Sequence, residues 1–397
     1  MKHYIPHSIK LGLPIALAVI ALNCGRSQEE INITTTIQVP GLTKPIPVSL
    51  EGITGEAADV LKFDLYVQGF SFVTPDAAQY RITGSSAGNV QGTLTDAIGR
   101  QTKFSRSYTG ASLRRQAHAF ADDIVLAITG KKGIGQTKIA FKAQASGYGP
   151  GEIYISDFDG HNPQALTHDG AIVAAPAWVP GRLALYYTSY ALDNPDIFYQ
   201  DLSTGQRHVL AKFSGLNTSA SVSPDGSKVA MILDRSGSPN VWVCDANGTN
   251  FRQLTHAPED ESSPCWSPDG KWICFATKIH DRRALAKVPA AGGPVQRVST
   301  PGVLNPTDPD WSPDGKWIAF TSQMGNFNIC VVPADGSQPP TVLVAGQHPS
   351  WAPNSRTLVL NHAVHYRQTL SVLDVMTKQV KDIPRISGND SQPAWAK

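Results

Sequence analysis

Few residue patterns in this sequence could support catalysis. The segment Gly84-Ser85-Ser86-Ala87-Gly88 matches the Gly-x-Ser-x-Gly pattern of hydrolases, but a nucleophile elbow needs a strand that enters a helix, and this motif joins two predicted strands. His348 and His362 could be metal ligands, and Asp308 and Asp310 could form a carboxylate pair. Because no His-Glu-x-x-His motif, clustered His set or calcium loop occurs, we interpret these residues as surface turns and expect no cofactor and no metal.

The cysteines allow two interpretations. Cys244, Cys265, Cys274 and Cys330 could form two disulfides in an oxidising compartment. None of them belongs to a Cys-x-x-Cys pair, and Cys244, Cys274 and Cys330 fall on predicted strands. The sequence therefore favours small, buried, apolar thiols.

The first residues predict export from the cytoplasm. Lys2 and Lys10 precede the apolar run Leu11 to Leu22, which has the form of a signal peptide over residues 1–25 and is short for a membrane span. Lipid attachment at Cys24 is the alternative, although the two preceding residues fit a lipoprotein signal badly. We expect an exported protein that is peripheral to the membrane.

Composition indicates a globular protein of two domains. The chain has 397 residues, of which 41% are hydrophobic and 17% charged, and its formal net charge is +2. This length exceeds one average domain, and the charge leaves no basic excess to neutralise phosphates. Nucleic acid is therefore not an expected partner.

A repeat with the form small-x-Trp-Ser-Pro-Asp-Gly-Lys dominates the second part of the chain. Its Trp, or the Val in one copy, lies at Trp178, Val222, Trp266, Trp311, Trp351 and Trp395, with spacings of 44, 44, 45, 40 and 44 residues. Such a period is typical of a four-stranded propeller blade. The Pro-Asp-Gly turn chemistry and the alternating apolar residues after it predict a turn that feeds a strand.

Counting these strands predicts six blades over residues 134–397. The strands are centred on 139–141, 183–185, 229–231, 273–275, 318–320 and 358–360. The last copy of the motif, at residues 393–395, is expected to close the ring beside the first blade, which removes open strand edges.

Residues 26–133 lack the repeat and predict a small α/β domain. Apolar residues share one face of a helix from Leu113 to Thr129, which Ser112 can cap and Gly130 can end. A second helix is predicted over residues 56–68. Strands are predicted over 46–50, 80–83, 89–94 and 103–108. The predicted fold class is thus a small α/β domain followed by an all-β six-bladed β-propeller.

The order of these parts resembles the TolB family of the Tol-Pal envelope system. The resemblance is carried by the junction from Leu113 through Gly133 to Phe141, by Ile155-Ser156-Asp157-Phe158-Asp159-Gly160, and by Pro393-Ala394-Trp395. It implies a non-enzymatic periplasmic adaptor that supports outer-membrane integrity and cell division. The implied partners are the peptidoglycan-associated lipoprotein Pal, at one propeller face, and the inner-membrane protein TolA, at an extended N-terminal segment.

The resemblance also implies which residues contact these partners. The Pal-binding loops would contribute Asn217, Ser219, Ser262, Ser263, Asn305, Asp308, His348 and Asp390. The segment from Ile31 to Val48 would contribute Gly41, Pro45, Ile46 and Val48 to TolA binding.

Two enzymatic interpretations remain as alternatives. A propeller lyase or hydrolase could act in the central channel. An accessory propeller of a prolyl-peptidase-like enzyme would need a hydrolase domain in addition to the repeats.

Overall fold

The computed structural model describes residues 39–110, 112–145, 149–384 and 388–397. The predicted signal peptide, Cys24 and residues 31–38 of the predicted TolA-binding segment lie outside these ranges. Within them the chain has the predicted fold class, an α/β region followed by six four-stranded blades.

The α/β region is one five-stranded sheet with two helices. Its elements are β1 (Ile46–Glu51), α1 (Gly55–Tyr66), β2 (Phe70–Phe72), β3 (Tyr80–Ser85), β4 (Val90–Asp96), β5 (Gln101–Tyr108) and α2 (Leu113–Thr129). The strand order is β2-β1-β3-β4-β5. β1 runs parallel to both of its neighbours, and β3, β4 and β5 form an antiparallel meander.

Local sequence signals explain the bounds of α2, which are those predicted. The Ser112 hydroxyl accepts a hydrogen bond from the Arg115 backbone N–H, and Gly130 follows the helix with φ at 70°.

Close packing explains a glycine in β4, because a Cβ on Gly92 would lie 2.1 Å from the Phe120 ring of α2. The core between sheet and helices is built from residues such as Phe120 and Val48, both fully buried.

The blades follow the predicted period. Blade 1 contains β6 (Lys138–Gln144), β7 (Glu152–Asp157), β8 (Gln164–Ala165) and, as its innermost strand, β29 (Asn389–Trp395). Blade 2 contains β9 (Val173–Trp178), β10 (Ala184–Leu192), β11 (Asn194–Asp201) and β12 (Arg207–Ala211). Blade 3 contains β13 (Asn217–Val222), β14 (Lys228–Leu233), β15 (Asn240–Asp245) and β16 (Arg252–Gln253).

The second half of the ring has the same organisation. Blade 4 contains β17 (Ser262–Trp266), β18 (Trp272–Ile279), β19 (Arg282–Pro289) and β20 (Gln296–Val298). Blade 5 contains β21 (Pro306–Trp311), β22 (Trp317–Met324), β23 (Asn326–Pro333) and β24 (Thr341–Ala345). Blade 6 contains β25 (Gln347–Trp351), β26 (Thr357–Val364), β27 (Arg367–Asp374) and β28 (Val380–Asp382). The antiparallel pairing of β29 with β6 closes the ring, as predicted.

The repeated Ser-Pro-Asp-Gly motif is a self-contained turn. In blade 4 the Ser267 hydroxyl donates to the Asp269 carboxylate at 2.6 Å and accepts the Trp272 backbone N–H at 2.9 Å. Gly270 has φ at 70°, which disfavours a side chain there. Blades 3 and 5 repeat these bonds at Ser223 and Ser312. The motif therefore recurs because each blade must turn its chain in the same way.

The marker tryptophans tie neighbouring blades together. The indole N–H groups of Trp178, Trp266 and Trp351 donate to the carbonyls of Ala394, Ser221 and Asp310, respectively, at 3.0 to 3.1 Å. Each of these carbonyls belongs to the innermost strand of the preceding blade. The tryptophans are thus interblade packing residues.

The four cysteines of the blades are buried free thiols, which agrees with the favoured interpretation. Burial raises the pKa of Cys244 and of Cys330 to about 12. These thiols contribute apolar packing to the blades.

Antiparallel blades give the propeller two different faces. We call the side with the Ser-Pro-Asp-Gly turns the turn face; these turns include residues 223–226, 267–270 and 312–315. We call the opposite side the loop face; it carries the loops that enter each innermost strand and the hairpin tips between the second and third strands.

The α/β region packs on the turn face of blades 1 and 6. Gln379 Nε2 donates to the Phe70 carbonyl at 2.9 Å, and Thr357 Oγ1 donates to the Val67 carbonyl at 3.3 Å. Because this region covers part of the turn face, the loop face is the side that it leaves open.

A buried charge cluster lies in the same contact. His118 Nδ1 of α2 is 2.7 Å from Asp64 Oδ2 of α1, and His118 Nε2 is 3.4 Å from Asp159 Oδ2 of blade 1. Arg114 of α2 forms an ion pair with Asp159. His118, Asp64 and Asp159 are each at most 5% exposed. The cluster therefore joins α1, α2 and the first blade through ionisable groups that are removed from water.

The charges of His118, Arg114 and Asp159 stabilise one another, whereas burial raises the pKa of Asp64. Burial alone would lower the pKa of His118, but the carboxylates of Asp159 and Asp64 outweigh burial and raise this pKa to about 10. Burial would likewise raise the pKa of Asp159, yet His118 and Arg114 lower it to about 2. At neutral pH the cluster thus contains a cationic His118 beside an ionised Asp159.

Candidate partner-binding face

A ring of six residues surrounds the channel at the loop face. Each innermost strand contains a β-bulge at which one non-glycine residue has φ between 49° and 56°. These residues, which we call the mouth ring, are Ala175, Ser219, Ser263, Asp308, His348 and Gln392. Bulges re-aim a side chain and its backbone groups, so the same device turns six residues toward the channel mouth.

Neighbouring polar groups hold the bulges in place. The backbone N–H of Ser219 donates to Thr188 Oγ1 at 3.3 Å, and that of His348 donates to Thr321 Oγ1 at 3.0 Å. Gln392 supplies its own side chain, whose Oε1 accepts the Ala175 N–H at 3.1 Å. The strained backbone is therefore compensated by hydrogen bonds between adjacent blades.

One side of the mouth ring is strongly polar. Asp308 Oδ1 accepts a hydrogen bond from Ser263 Oγ at 3.2 Å, and Asp308 Oδ2 lies 3.9 Å from His348 Nε2. His348 Nδ1 is 3.0 Å from Asn361 Oδ1. The structure thus brings together three of the predicted partner-binding residues, Ser263, Asp308 and His348.

This arrangement differs from that of a nucleophilic triad. In a triad the imidazole bonds to the serine hydroxyl and the carboxylate orients the imidazole. Here the Asp308 carboxylate lies between Ser263 and His348 and contacts both. The Ser263 hydroxyl donates to a carboxylate and not to an imidazole. The polar side of the ring is therefore a hydrogen-bonding surface that does not have the geometry of a triad.

Two other predicted residues are buried. Asn217 and Asp390 are at most 1% exposed and lie two positions before a mouth-ring residue. The Asn217 side chain accepts the Phe213 N–H at 2.9 Å and donates to the Pro195 carbonyl at 3.1 Å. Asn217 therefore fixes the loop that enters blade 3.

Blade 4 has a carboxyl group at the equivalent buried position. Glu261 is 4% exposed, accepts the Val241 N–H at 3.0 Å and bonds to Thr255 Oγ1. Burial outweighs these hydrogen bonds and raises the pKa of Glu261 to about 7. The loop that carries Ser262 and Ser263 is thus held by a group that titrates near neutral pH.

The remaining predicted residues lie in different environments. Ser219 belongs to the mouth ring, Ser262 is half-buried beside it, and Asn305 is exposed in the loop that enters blade 5. The sequence reasoning missed Ala175 and Gln392, which complete the ring. No shared residue type marks this position, so only counting back three residues from each marker tryptophan could have found them.

The predicted TolA-binding residues form the start of the described chain. The Gly41 N–H donates to the Val375 carbonyl of blade 6 at 2.9 Å. Pro45 and Ile46 are half-buried, whereas Val48 is fully buried in the core of the α/β region. The structure therefore separates these four residues into an anchored segment and a core strand.

Below the mouth ring the channel becomes apolar and then polar again. Five of the six residues that follow the ring are prolines: Pro176, Pro264, Pro309, Pro349 and Pro393, with Ala220 in blade 3. The next level consists of Ala177, Ser221, Cys265, Asp310, Ser350 and Ala394. Together with the mouth ring, these levels line an open cavity of about 280 Å³.

Large apolar side chains are exposed around the loop face. They are Ile172, Tyr190 and Leu192 at blade 2, Leu304 and Phe327 at blade 5, and Tyr366 at blade 6. Tyr366 lies in a hairpin tip and is fully exposed. Exposed apolar and aromatic residues around polar groups are typical of protein interaction sites.

Two further features of the described ranges bear on the candidate site. Within these ranges no three His, Cys, Asp or Glu side chains form a group that could hold a metal ion. Neither described helix is long and apolar enough to cross a lipid bilayer.

Solved structures of similar fold include two that carry the TolB name. The crystal structure of TolB from Acinetobacter baumannii superimposes with a TM-score of 0.81 at 22% identity, covering 91% of this chain and 98% of that one. The structure of a putative TolB from Agrobacterium tumefaciens has a TM-score of 0.51 at 18% identity, covering 62% of this chain and 88% of that one. These likenesses show the fold.

Curated relatives share part of the sequence. The Tol-Pal system protein TolB of Anaeromyxobacter dehalogenans (strain 2CP-C) and that of Anaeromyxobacter sp. (strain K) are each 34% identical over 161 residues. The match covers 40% of this chain and 36% of each relative, so it spans about a third of their length. The family model for the TolB beta propeller domain matches residues 125–397, more than half of the chain, and the chain therefore belongs to the TolB beta-propeller family.

Proposed function

We propose that this chain is a non-enzymatic periplasmic adaptor of a Tol-Pal-like envelope complex. In this proposal the loop face binds a Pal-like peptidoglycan-associated lipoprotein, and the complex supports outer-membrane integrity and cell division. The membership of the TolB family supports the assignment to such a complex. The names of the curated relatives support it as well.

The observation that carries the proposal is the difference between the two propeller faces. The α/β region occupies part of the turn face through Gln379, Thr357 and the His118 cluster. The loop face presents the mouth ring together with exposed side chains such as Tyr190 and Tyr366. A polar centre with exposed aromatic residues nearby has the composition that protein partners recognise.

A second contact is proposed for the N-terminal segment. A TolA-like inner-membrane protein would bind residues before β1, because Val48 is fully buried. Gly41 and Thr43 are anchored on blade 6 through backbone bonds of 2.9 and 3.1 Å to Val375 and Met376. These bonds hold the described start of the proposed site against the propeller.

Calorimetric titration tests the loop-face proposal directly. The exported chain would be titrated with the Pal-like lipoprotein of the same organism, prepared without its lipid. The variants Asp308→Ala and His348→Ala alter the mouth ring. Lys271→Ala is the matched control, because the Lys271 side chain lies on the turn face and is 76% exposed. We expect each ring variant to weaken binding about tenfold, since side chains at an interface centre contribute about 1–2 kcal/mol.

The control variant should bind as the unaltered chain does. Thermal unfolding of each variant shows whether its propeller is intact. Absence of binding by the unaltered chain would contradict the proposal, and so would equal losses in the ring and control variants.

A further inference from the structure

The channel contains an ion pair that the proposed adaptor function does not explain. At the level of Asp310 the other five residues facing the channel are small and uncharged. Lys397 reaches this carboxylate, with Nζ at 2.6 Å from Asp310 Oδ1 and 2.8 Å from Asp310 Oδ2. Asp310 belongs to blade 5, whereas Lys397 follows the innermost strand of blade 1. The lysine side chain therefore bridges blades that are not neighbours.

The acceptors around Nζ match the donors of a primary ammonium group. Such a group has three N–H donors, and here it finds the two Asp310 oxygens and the Trp311 carbonyl at 3.4 Å. The carboxylate is itself held in place, because Asp310 Oδ2 accepts the Trp351 backbone N–H at 2.7 Å. The site is thus prearranged by the backbone of the next blade.

The channel above Asp310 fits an alkyl chain. The level between Asp310 and the mouth ring consists of five prolines and Ala220, so it offers apolar walls. Asp308 of the mouth ring precedes Asp310 by two residues, which corresponds to a rise of at most about 7 Å, because the bulge at Asp308 shortens the strand. An ammonium group at Asp310 would therefore extend a stem of about four carbons through the prolines to the mouth ring.

The same features argue against a hard metal ion at this place. Calcium takes six to eight oxygen ligands, and magnesium needs a near-octahedral shell. The neighbours of Asp310 at its level provide two serine hydroxyls and no second carboxylate. One carboxylate, one nearby carbonyl and apolar walls suit an alkylammonium ion better.

We propose that the channel around Asp310 is a binding site for a primary alkylammonium group, which Lys397 occupies from within the chain. A free amine, or a lysine side chain presented by another polypeptide at the loop face, would take the place of Lys397. Exchange is feasible because the Lys397 side chain is 34% exposed and can return its charge to water. This inference does not depend on the proposed adaptor function.

Titration with n-pentylamine tests the proposal, and 1-pentanol is the matched uncharged probe. In the unaltered chain Lys397 competes with the probe, and a site that is open about a tenth of the time binds with about tenfold lower apparent affinity. Lys397→Met removes this competitor. We therefore expect the variant to bind n-pentylamine about tenfold more tightly than the unaltered chain. The double variant Lys397→Met/Asp310→Asn should lose this binding. Equal affinity in the single variant and the unaltered chain, or undiminished binding in the double variant, would overturn the proposal.

Two additional arms make the test complete. The first arm compares a glycine-rich peptide that carries one lysine with the same peptide carrying norleucine. Tighter binding of the lysine peptide assigns the site to a polypeptide lysine. Binding of n-pentylamine without binding of the lysine peptide assigns the site to small amines. If Lys397→Met does not fold, NMR of ¹⁵N-lysine in the unaltered chain replaces it. There n-pentylamine should shift the Lys397 Nζ signal and leave that of Lys271 unchanged, and an unmoved Lys397 signal would refute exchange.

Discussion

Replacing His118 by alanine should weaken the attachment of the α/β region to the propeller. His118 lies between Asp64 and Asp159, at 2.7 Å and 3.4 Å, and all three residues are at most 5% exposed. Removing one partner of a buried ion pair leaves an uncompensated charge and costs about 3–5 kcal/mol. We therefore expect His118→Ala to lower the free energy of unfolding by about this amount.

The pH dependence of this effect follows from the pKa of His118. This pKa is about 10 in the folded chain and about 6.5 in an unfolded chain. A raised folded-state pKa gives stability that is complete below the unfolded value and is lost as pH rises through the folded value. The stability difference between the unaltered chain and His118→Ala should therefore be largest below about pH 6.5 and should shrink toward pH 10.

Two spectroscopic signals can report on the two parts of the molecule separately. All eight tryptophans lie between residues 178 and 395, so their fluorescence reports on the propeller. Both described helices belong to the α/β region, so circular dichroism at 222 nm reports mainly on that region. In urea titrations we expect the two midpoints to coincide in the unaltered chain and the dichroism midpoint to fall first in His118→Ala.

An exposed histidine provides the control for this experiment. His256 is exposed on the loop face, and His256→Ala should leave both midpoints unchanged. The reasoning would be refuted if His118→Ala cost less than about 1 kcal/mol. It would also be refuted if the difference from the unaltered chain did not change between pH 6 and pH 10.

Three further predictions concern stability. Burial raises the pKa of Glu261 to about 7, so its contribution to the free energy of unfolding is most favourable below about pH 4.3 and is lost as pH rises to 7. The melting temperature should therefore fall between pH 4.3 and pH 7, and Glu261→Gln should remove this fall. An unchanged pH dependence in the variant would exclude Glu261 as its source. Gly92→Ala should destabilise the α/β region by about 1–3 kcal/mol, because the new Cβ would overlap the Phe120 ring; denaturation followed at 222 nm checks this, and a neutral result would show that Phe120 can move. Trp351→Phe should lower the free energy of unfolding by about 1–3 kcal/mol, because it leaves the Asp310 carbonyl unpaired. Trp242→Phe should cost less, because the indole N–H of Trp242 has no partner among the described residues. Urea titration measures both losses, and equal losses would contradict the interblade role of Trp351.

The repeat and the capping residues made most of the fold predictable. The six markers at spacings of 40 to 45 residues fixed the number of blades, since each marker begins the same turn and strand. Ser112 and Gly130 placed both ends of α2 correctly. The second helix is shorter than predicted, ending at Tyr66, and β2 was missed because three residues give too little alternation to recognise a strand.

The candidate site was less predictable, because its geometry depends on contacts between blades. Ser263, Asp308 and His348 are 40 or more residues apart and meet only when the ring closes. The burial of Asn217 and Asp390 does not follow from the alternation of a regular strand, because a bulge separates each of them from the ring residue two positions later. His118 and Asp159 illustrate the same limit, since neither residue is unusual until the two regions pack together.

Photo-crosslinking at two positions would test the central claim most directly. Benzoylphenylalanine would replace Tyr366, which is fully exposed on the loop face, or Leu183, which is 57% exposed on the turn face. With the Pal-like lipoprotein present, we predict a crosslinked complex from position 366 and none from position 183. A complex formed only from position 183, or from neither position, would contradict the assignment of the loop face as the partner-binding surface.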